Sequence, residues 1–275
     1  MTSRRTWMFA AVATLVAGSI ALAQFRGGGF RRGRGPTNER YGVPEWTNPV
    51  GFEKDVFTFA RIQYDSAYGG WRRGGGWTTD YRDADLNLSF RLQQLSALKV
   101  DPEGKVVRIT DPELFSYPFV YIVEPGGLYF SEEEVTILRR YLLCGGFLMV
   151  DDFWGVAEYE NFYEQIKRVF PEREPVELPA DHQIFHCVFD LKEKPQIPGV
   201  RAFESGYTYE RPDAKVVEYK GIFDDKGRMM AIICHNTDLG DGWEEEATNP
   251  DYFKEFSEKY AYPLAVNIIV YAMTH

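Results

Sequence analysis

Three loops of this chain gather carboxylates: Asp80 with Asp83 and Asp85, Asp151 with Asp152, and Asp238 with Asp241 and Glu244. Carboxylates collected at strand ends can hold Mg²⁺ or Ca²⁺ through oxygen ligands, or share the work of an acid and a base. Their spacing matches no EF-hand, and the same residue types also cap helices and accept hydrogen bonds from loop amides. The residues therefore assign no metal or cofactor, and leave Mg²⁺ or Ca²⁺ as an option beside structural capping. His182 and His186 stand four apart, a spacing that on a helix could share a zinc ion. Pro179 precedes them and Ile184 to Phe189 reads as extended, which spaces the two rings too far apart along the chain to share one ion. A single His182 facing a cleft is the better chemical reading, beside an ordinary structural role for it and for His235. Trp71, Trp77, Trp154 and Trp243 lie in Gly- or Asp-rich loops. Rings beside acids suit sugar or peptide recognition, and suit equally a lid over a core.

These side chains need a scaffold, and the stretch from Tyr117 to Gly155 supplies its centre. A buried strand precedes a helix whose start is specified twice, by a capping box of Ser131 with Glu134 and a hydrophobic staple of Phe130 with Val135. Val135, Leu138, Tyr141 and Leu142 make one apolar stripe, Gly145 and Gly146 end the helix, and a second strand follows and stops at Asp151 and Asp152. This is a βαβ unit, and open parallel sheets bind ligands beyond the C-terminal ends of their strands. Glu124, Pro125, Gly126 and Gly127 at one strand end, and Asp151, Asp152 and Trp154 at the next, mark the expected working face. Upstream, Asp55 to Tyr64 alternates as a strand, Asp83 to Leu98 has helical period, and Lys105 to Thr110 reads as another strand. Downstream come a helix over Glu158 to Phe170 and a β-hairpin across Asp224-Asp225-Lys226-Gly227. Helices over Asn249 to Tyr260 and Pro263 to Met273 close the chain, with Pro263 in a first turn.

Charge and composition give an address. Arg4 and Arg5, an apolar stretch from Trp7 to Leu22 and Ala21-Leu22-Ala23 read as a signal peptide over residues 1–23, which predicts a periplasmic or secreted protein with no membrane span in the mature chain. An uncleaved anchor is the other option, and Ser3-Arg4-Arg5-Thr6-Trp7 approximates a twin-arginine signal. Residues 24–52, rich in Arg, Gly and Pro, read as a linker, and 53–275 as a single α/β domain. Residues 1–40 hold seven arginines against one glutamate, so with the whole 275-residue chain at −10 the remainder stands at −16. An acidic body argues against nucleic acid as a partner. Cys144, Cys187 and Cys234 are an odd number for an exported protein, and buried free thiols are the expectation.

Phe59 to Tyr64, Trp77 to Tyr81, Asp85 to Leu88, Tyr117 to Tyr121, Gly145 to Gly155 and His235 to Asp238 together resemble the domain-of-unknown-function family numbered 4159, from about Phe52 to the C-terminus. The resemblance implies a flavodoxin-like, class I glutamine amidotransferase-like three-layer sandwich. It also implies an elbow after the strand Phe147 to Val150 where such amidotransferases carry a cysteine. Here Asp151, Asp152 and Phe153 follow that strand, and Cys144 lies before it. The expectation is an exported noncatalytic module that binds a carbohydrate, peptide or envelope protein. Its expected cleft holds Asp80, Glu124, Gly126, Gly127, Asp151, Asp152, Trp154, His182, His235, Asp238, Asp241 and Trp243. The alternative is a metal- or carboxylate-dependent hydrolase working through Asp151, Asp152 or His182.

Overall fold

A computed structural model describes residues 42–51, 55–66 and 76–275, all in one compact unit spanning Asn38–His275. The segments read as signal peptide and as linker up to residue 41, and Trp71, lie outside the described residues. Residues 42–51, read as linker, include Trp46 and Asn48, which donate from Nε1 and Nδ2 to the carbonyl of Val100 at 3.0 and 2.9 Å.

Strands β1 (Ala60–Ile62), β2 (Asp65–Ser66), β3 (Lys105–Val107), β4 (Phe119–Val123), β5 (Leu128–Tyr129), β6 (Phe147–Asp151), β7 (Val176–Glu177), β8 (Glu218–Phe223) and β9 (Met229–His235) form two sheets. The main sheet has seven strands in the order β3-β1-β4-β6-β9-β8-β7, and β2 pairs with β5 in a small antiparallel ribbon. Strands β3, β1, β4, β6 and β9 run parallel, and β8 returns antiparallel to β9 through the expected hairpin. Along β4 the side chains of Phe119, Tyr121 and Val123 enter one apolar cluster, and those of Val120 and Ile122 the other. A strand covered on both faces reads as a continuous apolar run, which is what this segment shows.

Helices α1 (Asp83–Leu95), α5 (Leu239–Glu244) and α7 (Tyr262–Thr274) pack on one face, and α2 (Glu132–Leu143) and α3 (Gly155–Val169) on the other. Two short helices, α4 (Val200–Glu204) and α6 (Pro250–Tyr252), lie in connections. The start of α2 carries the full capping box, with Ser131 Oγ accepting from Glu134 N at 3.2 Å and Glu134 Oε2 accepting from Ser131 N at 2.8 Å.

Three elements differ from the sequence reading, the first being Leu239–Glu244, read as part of an acidic loop and found as helix α5. The first strand is regular only over Ala60–Ile62, because its neighbour is broken by the Asp101–Gly104 turn, and Phe57 reaches Val100 by a separate bridge. The two C-terminal helices are one continuous run from Pro250 to Thr274, with π-helical turns over Phe253–Ala261. Pro263 has no N–H to give, and the wider turns before it leave room for its ring, so the chain passes the proline without a break. Among the described residues no helix is long and apolar enough to cross a membrane.

Candidate functional site

Parallel strands β1, β4, β6 and β9 end at one rim, and the backbone there is unusual. Glu124 follows β4 with φ 47°, Asp152 follows β6 with φ 56°, Asn236 follows β9 with φ 60°, and Asp80 in the loop before α1 has φ 59°. Among the described residues these are the only non-glycines with left-handed backbone, each costing energy that the surrounding fold must supply.

The same turns bring the acidic loops together. Asp80, Asp152 and Asp238, one from each loop, place carboxylate oxygens within 4.8 Å of one another, and Asp80 does the same with Asp241 and Glu244. Asp152 and Asp238 are buried. Asp80 is half-buried, but its Oδ2 is closed to solvent and accepts no hydrogen bond. At Gly240 a Cβ would meet that same oxygen, so a larger residue there would push the Asp80 carboxylate aside.

Arg61, fully buried on β1, builds the floor. Its Nε lies 3.0 and 3.1 Å from the two carboxylate oxygens of Asp85, and its Nη1 donates to the carbonyls of Trp77 at 3.2 Å and Thr79 at 2.9 Å, which fixes the segment that carries Asp80. Asp151 is sealed inside, contrary to the expectation that it faces an open rim. Its Oδ2 accepts from the amides of Leu239 at 2.9 Å and Gly240 at 3.1 Å and from the Tyr121 hydroxyl at 3.2 Å, because those α5 amides have no partner within their own helix. Its Oδ1 has no partner.

Negative charge dominates what remains. Burial, then Asp241 and Glu244, pushes the Asp80 carboxyl well above its ordinary range. Burial, then Glu124 and Asp80, does so for Asp152, and burial, then Asp152 and Asp241, for Asp238. Burial raises Asp151 to about 7 against the hydrogen bonds from Gly240 and Tyr121, and burial with Asp241 raises Glu244 to about 7.

The other expected site residues divide. Glu124 sits on the rim and accepts from the Gly76 amide, and Gly126 packs beside it against the Glu158 side chain. Gly127 is half-buried in the same turn. Trp154 is 3% exposed and donates to Asp152 Oδ1 at 2.9 Å. Trp243 is fully buried and donates to the Ala261 carbonyl at 3.2 Å, so these two rings are packing elements and not open platforms. His235 bridges Glu218 and the Gly155 carbonyl, both at 3.0 Å. His182 is not brought to the acidic cluster: it accepts from the Ile184 amide at 3.2 Å, beside Tyr271 at 5.7 Å. The expectation of buried thiols fails at exposed Cys144, is met only in part at half-buried Cys187, and holds for Cys234.

Sequence reasoning passed over Arg61, Glu158 and Glu210. An arginine in the apolar run Phe59 to Ile62 is a signal for a buried partner. Glu158 and Glu210 carried none, since each looks like an ordinary charge on a helix or loop. Glu158 accepts from the Trp154 amide at 2.7 Å, and Glu210 lies with Asp238 and Asp241 around Gly199. No curated protein matches the chain. A family model described as Domain of unknown function (DUF4159) matches residues 58–273, a span that takes in the sheet and the whole rim, and the chain belongs to that family.

Proposed function

We propose that this chain is an exported, noncatalytic binding module whose strand-end rim recognises a carbohydrate, a peptide or an envelope protein. One observation carries the reading: the left-handed non-glycine residues Asp80, Glu124, Asp152 and Asn236 all fall on that rim. Strained backbone persists where a fold must aim side chains, and such positions cluster at ligand sites. The strand order β3-β1-β4-β6-β9 supports a flavodoxin-like or amidotransferase-like fold, since it reverses direction at β1 and opens a crevice between β1 and β4. Glu124 stands at the end of β4, on that crevice. Around the buried acids, half-buried Glu124, Asp241 and Glu244 and exposed Glu210 offer acceptors to the hydroxyl or amine groups of a ligand.

Saturation-transfer NMR and thermal-shift screening with cell-wall sugars and peptides test the module. A response from wild type that weakens in Glu124→Gln supports it, and silence across both panels counts against it. A second reading, a carboxylate-dependent hydrolase, is favoured by the left-handed turn at Asp152, the elbow between β6 and α3. Turnover of chromogenic glycosides or esters that vanishes in Asp152→Asn would favour it over the module.

A further inference from the structure

Three carboxylates meet at the rim, and the positive charge that Asp80 feels among the described residues is that of Arg61. Among the described residues no lysine, arginine or histidine forms an ion pair with Asp80, Asp152 or Asp238, and Arg61 is committed to Asp85. Hydrogen-bond donors cover only part of the triad: Asp152 receives the Trp154 indole and Asp238 the Asp241 amide at 2.7 Å. Asp80 Oδ2, in contact with neither solvent nor donor, is an independent sign of a missing partner, because the large majority of buried side-chain acceptors are satisfied. The fully buried Asp151 leaves a second orphan oxygen one residue from Asp152.

We propose that Asp80, Asp152 and Asp238 hold a hard divalent cation, Ca²⁺ in preference to Mg²⁺, with Asp241 and Glu244 beside it on the solvent side through their shared neighbour Asp80. The donor set is oxygen alone. His235 has both ring nitrogens engaged and the described cysteines lie elsewhere, which disfavours zinc. A cage of several protein carboxylates suits Ca²⁺, which accepts many oxygens in irregular geometry, whereas Mg²⁺ keeps most of its water. This inference goes beyond the binding reading and stands without it: a cation can sit under the rim whether or not an organic ligand binds above.

The experiment uses the full chain, stripped with EDTA and titrated with TbCl₃ under indole excitation, then with CaCl₂ or MgCl₂ as competitor. Sensitised Tb³⁺ emission is expected, since the Trp154 indole is hydrogen-bonded to a proposed ligand, with Ca²⁺ displacing it at lower concentration than Mg²⁺. Asp80→Asn and Asp152→Asn, similar in shape, should bind Ca²⁺ about tenfold or more weakly by calorimetry, and Asp225→Asn on the hairpin turn should bind as wild type. The proposal is overturned if wild type shows no saturable Tb³⁺ or Ca²⁺ binding at millimolar concentrations, or if both triad variants bind as tightly as wild type. Mg²⁺ competing better than Ca²⁺ overturns the stated preference. Should either variant fail to fold, the wild-type displacement experiment decides alone. Sugar and peptide titrations of the stripped and the Ca²⁺-loaded chain then report on the module separately.

Discussion

Asp85→Ala would strand the Arg61 guanidinium, fully buried and held by no other carboxylate among the described ion pairs. Breaking a buried pair from one side costs about 3–5 kcal/mol, so urea denaturation should place this variant that far below wild type. The loss should spread to the rim, because Arg61 also carries the carbonyls of Trp77 and Thr79. Asp151→Ala leaves two α5 amides and the Tyr121 hydroxyl without their acceptor. Each such group costs about 1–3 kcal/mol, and Asp151→Asn, which keeps one acceptor oxygen, should lose much less in the same assay. An Asn variant as unstable as the Ala variant would mean that the charge, and not the hydrogen bonds, matters. At this scale the sequence was read well for residue type and poorly for direction. Asp80 was expected in the cleft and Asp83 and Asp85 were not, but Asp151, which is sealed inside, was not told from its neighbour Asp152. Only the turn of the backbone decides which carboxylate of each loop faces its counterparts.

Helix α2 was the most legible element because its ends are written in local chemistry. Ser131→Ala removes the capping oxygen and should cost about 1 kcal/mol by denaturant midpoint, within the range for N-cap replacement. Its other end exposes Cys144, while Cys234 is sealed in β9 and burial pushes its thiol up. Iodoacetamide should therefore label Cys144 readily in the native chain and Cys234 only after unfolding, as peptide mass spectrometry would show; equal labelling of both would contradict the packing. Sequence patterns found the hairpin β8–β9 for the same reason as α2: its turn residues are local. They missed the length of β1 and the joined C-terminal helices, where the outcome depends on partners far along the chain. A strand is only as long as its neighbour allows, and a proline ends a helix only if the preceding turns cannot widen.

For the molecule as a whole, the raised carboxyls set a pH trend. Asp83 is pushed up to about 6, chiefly by burial, and Asp151 and Glu244 to about 7. A carboxyl raised in the folded state holds its proton where the unfolded chain has released it, so its contribution is complete at low pH and is lost as pH climbs through 6 and 7. Carboxyls held down by partners, such as Asp213 and Glu172, act in the opposite sense but finish titrating below that window. The EDTA-treated chain should show a lower denaturant midpoint at pH 8 than at pH 5, and a higher one would refute the trend. A different consequence follows from the strand order. The sheet ends on β3, three residues long, and β7, two residues long. Such stubs expose few free peptide groups on which another chain could template a cross-chain ladder, so the folded protein carries a built-in brake on edge-to-edge polymerisation.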